Sequence, residues 1–243
     1  MMHPRSSWIT VAADDGTEMN AYVTYPQGDG QHPGILVLQE AMGVNSQLRG
    51  VADRFAALGF VAIAPDLFHR VSPGYNASTL EWDIVRPFIS ALTIDGMVSD
   101  VRAAHAWMVS QTNVDAQKTA AIGFCMGGRA TYLANSVLPL SAAISYYGGS
   151  IAPNLLDRAS SLRGPHLFFW GGKDTSIAPE QHRAVADALR QAGKSFVDVE
   201  FSECNHGFFN EQWVERYNAD AARQSWAIGV TFLQDAFGVS LRT

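Results

Sequence analysis

Ala120-Ala121-Ile122-Gly123-Phe124-Cys125-Met126-Gly127-Gly128-Arg129-Ala130 is the stretch that decides how this chain is read. An apolar, strand-like run ends in Gly-x-Cys-x-Gly-Gly, and an Ala-rich helical pattern follows. This is the form of a nucleophile elbow, Gly-x-Ser-x-Gly, with sulfur in place of oxygen. An elbow holds its nucleophile in a tight, strained turn, and side chains at Gly123 and Gly127 would collide with neighbouring backbone. The helix that leaves the turn aims its amides and positive dipole end at the sulfur, which favours a thiolate and a developing oxyanion. A lone cysteine is more often a small buried hydrophobe. Glycine on both sides in a strand–turn–helix context makes Cys125 the candidate nucleophile instead.

Outward from the elbow, the spacing predicts a strand over 118–124 and a helix over 126–136. Upstream, 8–12 and 20–25 read as two short strands around an Asp14-Asp15-Gly16 turn. The continuous apolar run 34–39 reads as a strand buried on both faces, and 60–64, closed by Pro65, as another. Helical spacing covers 47–58 and 97–109. Downstream, strands are predicted over 142–147, 166–170 and 196–201. A helix over 179–191 is opened by Pro179 and closed by Gly193, and a last one runs over 218–236. Buried strands alternating with helices imply a mostly parallel sheet covered on both faces. With the elbow, this gives an α/β-hydrolase fold whose ligand crevice lies at the strand C-termini. Residues 71–93 are the least sheet-like part. They hold Pro73-Gly74 and a capping-box pattern at Ser78-Thr79-Leu80-Glu81, and read as a cover over the active-site edge.

The composition bounds the rest. The chain has 243 residues, 47% of them hydrophobic, and a net charge of −6. One domain over 1–243 is expected. The absence of a basic stripe excludes nucleic acid as a partner. No apolar segment reaches membrane-spanning length. Residues 1–7 are polar with no apolar signal core behind them, and two cysteines make no disulfide framework, so a reducing cytoplasm is expected. The histidines other than His206, at His3, His32, His69, His105, His166 and His182, show no metal spacing. No metal and no cofactor are expected.

A cysteine nucleophile needs a base, and the base an orienting acid. The chain order nucleophile, acid, histidine is met by Asp174, in Trp170-Gly171-Gly172-Lys173-Asp174, and His206, in Cys204-Asn205-His206-Gly207-Phe208-Phe209. Both follow apolar strands and so share the edge that carries Cys125. Glu40 ends the apolar run Gly34-Ile35-Leu36-Val37-Leu38-Gln39-Glu40, where a carboxylate is costly without a task or a partner. Either it caps the helix near Ser46, or it lies beside Cys125 and tunes its ionisation. The loop after this strand commonly gives one oxyanion amide, here Ala41, and the residue after the nucleophile, Met126, the second.

Together these pieces resemble the dienelactone hydrolase family of α/β-hydrolases over residues 34–237. The resemblance is carried by Gln39-Glu40-Ala41-Met42-Gly43-Val44-Asn45, Ala64-Pro65-Asp66-Leu67-Phe68, Gly123-Phe124-Cys125-Met126-Gly127-Gly128, Tyr146-Tyr147-Gly148, Gly172-Lys173-Asp174 and Asn205-His206-Gly207-Phe208. It implies a triad of Cys125, His206 and Asp174, with Glu40 engaging the thiol. It implies thiolate ring opening of carboxymethylenebutenolide through a thioester to maleylacetate, and it leans towards a monomer over a small homo-oligomer. The family's substrate-gripping Arg four residues after the histidine is here Asn210, and a neutral amide cannot pair bidentately with a carboxylate. The other family Arg falls in the cover, where Arg86 is the only arginine. Tyr147 matches a substrate-side tyrosine. Trp82, Phe88, Phe208 and Phe209 read either as an apolar acyl pocket or as core.

The expected partner is thus a small-molecule ester or lactone. A neutral substrate for a carboxylesterase or thioesterase is the alternative within this class. From another class comes a thiol redox protein, in which Cys204 resolves a sulfenate at Cys125. A binding protein that kept the fold and lost turnover is a third reading.

Overall fold

The computed structural model describes residues 5–238, so the first four residues of the polar start, His3 among them, lie outside it. One eight-stranded sheet runs in the order β1-β2-β4-β3-β5-β6-β7-β8. The strands are β1 (Arg5–Ala12), β2 (Glu18–Tyr25), β3 (His32–Leu38), β4 (Val61–Pro65), β5 (Val114–Phe124), β6 (Ala142–Tyr146), β7 (His166–Gly171) and β8 (Phe196–Phe201). β1 and β2 form the antiparallel entry hairpin, and β2 meets β4 antiparallel. Every later pairing is parallel. This is the mostly parallel α/β-hydrolase sheet read from the sequence.

The helices are α1 (Ser46–Ala57), α2 (Trp82–Ala91), α3 (Ile94–Val109), α4 (Met126–Val137), α5 (Pro179–Gln191) and α6 (Ala219–Phe237). Ile35, Leu36, Val37 and Leu38 are all completely buried, because consecutive residues of a central parallel strand point into two covered faces. Each such side chain contributes about 1.5–3 kcal/mol of burial. On one face α1 meets α6 through Phe55 and Trp226, whose ring centroids are 4.8 Å apart. On the other, α3 and α4 pack together.

Some boundaries differ from the sequence reading, each for a tertiary reason. β5 begins at Val114 because its polar start pairs with His32 and Pro33 before a register shift at Pro33/Gly34. β6 stops at Tyr146, since Tyr147 has φ 37° and leaves the extended conformation. The capping box at Ser78 does not form. α2 starts at Trp82 with Glu81 in the cap position and no side-chain cap. The chain before it is held instead by the Gly43–Asn76 bridge and by the Ala77 amide on the Met42 carbonyl. Gly43 has φ +74°, and a Cβ there would run into the Tyr75 carbonyl, so only glycine lets the cover dock on the loop after β3.

A charge cluster, buried at Asp100 and His69 and open to solvent at Asp15, ties the hairpin to the parallel core. Asp100 on α3, completely buried, accepts from Arg70 Nη2 at 2.8 Å and lies 3.1 Å from His69 Nε2. Arg70 Nε donates to Asp15 in the hairpin turn at 2.7 Å. Removing one member of a buried pair leaves the others uncompensated. Asp100→Ala is therefore expected to lower the unfolding free energy by about 1.5–3 kcal/mol, the range for lost hydrogen bonds to a charged group, because Arg70 is partly exposed and keeps Asp15. Urea denaturation checks this, and a loss below about 0.5 kcal/mol, as for an ordinary surface substitution, counts against it.

Candidate active site

The turn that presents Cys125 is set by backbone contacts. Cys125 has φ 55° and ψ −118° and stands at the N-cap of α4. A Cβ on Gly123 would strike the Gly127 carbonyl, one on Gly127 the Leu38 and Gln39 carbonyls, and one on Gly128 the Tyr146 carbonyl. The elbow is thus wedged between the C-terminal ends of β3 and β6. The Cys125 amide is spent on Tyr146 O at 3.0 Å. The Ala41 and Met126 amides donate to no backbone carbonyl among the described residues outside regular elements. They keep the donor capacity that an oxyanion site requires.

His206, in the loop after β8, is buried. Its Nδ1 lies 2.7 Å from Asp174 Oδ2, in the loop after β7. The Ser176 and Ile177 amides donate to Asp174 Oδ1 at 2.7 and 3.1 Å. Burial by itself would raise the Asp174 carboxyl, but these three hydrogen bonds and the charge of His206 outweigh it and hold the carboxyl below its ordinary value. Burial by itself would lower His206. A Cys125 thiolate, through its charge and a side-chain hydrogen bond, and the Asp174 carboxylate outweigh burial and push the imidazole up to about 10. The structure therefore brings Cys125, His206 and Asp174 together at one sheet edge, from three separate loops.

Glu40 is buried and raised by desolvation, opposed by two donors and by the charge of His206. Tyr147 OH donates to Oε1 at 2.7 Å, and Asn210 Nδ2 to Oε2 at 2.6 Å. Burial and the Glu40 charge keep the Tyr147 phenol well above its usual range, so it stays a donor. The capping alternative for Glu40 is corrected, because Asn45 caps α1 by accepting from the Leu48 amide at 3.1 Å. Glu40 engages Tyr147 and Asn210, and no hydrogen bond to the Cys125 sulfur is found among the described residues.

A sequence profile of the dienelactone hydrolase family matches residues 19–237. The chain belongs to the dienelactone hydrolase family. A Synechocystis sp. protein named "Putative carboxymethylenebutenolidase" is 32% identical over 231 residues, 91% of this chain and 93% of that one. A protein of the same name from Yersinia pestis is 31% identical over 226 residues, 89% of this chain and 84% of that one. A solved structure from Klebsiella pneumoniae, "Putative Dienelactone Hydrolase", superposes with a TM-score of 0.86 at 27% identity, covering 96% of this chain and 99% of that one. This member of the family is a hydrolase of ester bonds.

The remaining sequence candidates fall in different places. Phe208 is fully buried against Tyr146, Tyr147 and Phe201, so it packs beneath the site and offers no exposed surface to a substrate. Phe209 likewise stacks on Phe124 in the core, at 5.1 Å. Asn210 is buried with both ends engaged, its Oδ1 accepting from the Gln212 amide at 2.9 Å. Arg86 is exposed on α2. Cys204 is buried and its thiol is raised by desolvation, which disfavours it as a resolving thiol. Among the described residues, no three His, Cys, Asp or Glu side chains are placed to hold a metal, and no helix is long and apolar enough to cross a membrane.

Two positioning residues carried no sequence signal. Trp213 lies edge-on to both His206 and Trp82, each at 6.4 Å, and so connects the cover to the imidazole. Gln212 joins Asn45 at 2.8 Å and Ser46 at 2.6 Å, which pins the loop carrying Asn210 to the start of α1.

A carboxylate raised by burial destabilises the fold once ionised. Its contribution is intact below the unfolded value near 4.5 and is lost as pH rises through the higher folded value. Gln at position 40 can accept from Asn210 and donate to the Tyr147 oxygen without a charge. Glu40→Gln is therefore expected to be more stable than wild type at pH 8, with a smaller difference at pH 5. Urea curves at the two pH values test this, and a pH-independent difference would contradict it.

Proposed function

We propose that this protein is a cysteine hydrolase of small esters or lactones. Opening of a carboxymethylenebutenolide-type enol lactone is its model reaction, and it acts as one 1–243 domain with residues 71–93 as cover. The observation that carries this reading is Cys125 in its left-handed elbow facing a buried His206–Asp174 pair. In this reaction the thiolate adds to the ester carbonyl, and the oxyanion is held by the Ala41 and Met126 amides. The carbon–oxygen bond then breaks, and the leaving oxygen takes the proton from the His206 imidazolium. Once sulfur is acylated its charge is gone, and with it the first of the influences that hold His206 near 10. The imidazole falls back towards its ordinary range and becomes a base for water. Water attacks the thioester, and thiolate leaves as the carboxylic acid product forms. Glu40 works from behind Tyr147, its charge felt at His206.

A second reading, a neutral ester or thioester as substrate, is favoured by the position of Asn210. Its amide is committed to Glu40, and Arg86 points from an exposed helix position, so neither offers a buried cation to a substrate carboxylate. Thiol redox chemistry is disfavoured by the buried, raised Cys204.

Hydrolysis by wild type and Cys125→Ala is compared on dienelactone and on a short-chain p-nitrophenyl ester. Cys125→Ala is expected to lose turnover by at least about a thousandfold with its thermal transition retained. Activity on dienelactone supports the anionic substrate, and activity on the neutral ester alone supports the second reading. Full turnover by Cys125→Ala would overturn the mechanism.

A further inference from the structure

Arg129 is the fourth residue of α4, and its amide reaches the Cys125 carbonyl at 3.4 Å. Helix side chains lean towards the N-terminus, and residues four apart share a face, so the Arg129 side chain leans back towards the elbow. Its guanidinium is poorly matched to its surroundings. Nη2 donates only to the Met97 sulfur of α3, at 3.9 Å, and Nε is buried with no hydrogen-bond partner among the described residues. Among the described residues no carboxylate pairs with it. Burial pulls its pKa down, and among the described residues the opposing charge is that of Cys125. A partly desolvated cation without a counter-ion is costly, and that cost is relieved when the neighbouring sulfur is an anion.

The charges around the sulfur give the same account. His206 faces it from the loop after β8, and Tyr147, a neutral phenol, from the end of β6. Asp174 stands behind His206, and Glu40 behind Tyr147. With a thiolate, the site would hold three negative charges. Without Arg129, His206 would be the one cation in this set set against them.

We infer that Arg129 is a positioning residue that sustains the Cys125 thiolate through its field, as the counter-charge on the nucleophile's own helix. This rests on the cysteine reading above and adds a residue to it. This elbow then has two sources of positive potential at sulfur, the helix end and the guanidinium one turn below it.

The test is the rate of iodoacetamide alkylation of Cys125 against pH, in a Cys204→Ser background, together with the acid limb of kcat/KM. Arg129→Met, which keeps the stem but not the charge, is expected to raise the midpoint of the alkylation curve by about one pH unit and to slow alkylation about tenfold below it. Arg129→Lys is expected to return the midpoint most of the way to wild type. Arg129→Gln serves for the same comparison if the Met variant does not fold. Alkylation curves of the Met or Gln variant that superimpose on wild type, while Cys125→Ala is inactive, overturn the role of Arg129 alone. Full turnover by Cys125→Ala overturns the cysteine reading itself.

Discussion

The contact between the backbone of Gly127 and the last carbonyls of β3 is the constraint on which the site depends. With no Cβ at position 127, the first turn of α4 sits directly on Leu38 and Gln39. That approach fixes Cys125 at φ 55°. It also sets the elbow next to the loop that carries Glu40 and Ala41. A methyl group there would have to displace backbone, and the distances from the Cys125 sulfur to the Ala41 and Met126 amides would change with it. The strain of one left-handed residue, on the order of 1–3 kcal/mol, is held in place by the buried ends of β3 and β6 on either side.

Around this rigid centre the site is a balance of buried charges. Asp174 is held ionised by three donors, while Glu40 is held by two and remains raised. Two carboxylates in one pocket are thus pushed in opposite directions by their surroundings. The low one orients the imidazole. The raised one is bound by Tyr147 and Asn210, a neutral cradle that places negative potential behind His206 without neutralising it.

Much of this was legible in the chain because it is local. The glycines of the elbow and the buried apolar run of β3 announce themselves in contiguous residues, as do the Pro179 start of α5 and the placing of Asp174 and His206 just past strands. What was not legible depends on groups that are distant in sequence. Asn210 reads as a missing arginine in a substrate pocket, and only the fold shows that Glu40, 170 residues away, takes its amide. Phe208 reads as pocket or, more often for aromatics at such spacing, as core, and its neighbours decide for core. The capping pattern at Ser78 is a sound local signal overruled by the docking of Asn76 and Ala77 on the loop after β3. Trp213 and Gln212 act through partners that no spacing rule connects.

The register shift near the start of β3 separates two parts of the sheet. Pro33 pairs with Asp115 and Gly34 with Thr119, so β5 carries extra residues at the edge remote from the elbow. This slack is gathered into an irregularity within β5, where the Gln117 amide donates to the Asp115 side chain and the Gln117 carbonyl accepts from Ser141 Oγ. Beyond it the ladder runs in step from Gly34 to Leu38 against Thr119 to Gly123. Changes of chain length at that far edge can be absorbed in the bulge without moving Cys125. The sheet thus has a tolerant end, open to insertion and deletion, and an exacting end where a single added carbon matters.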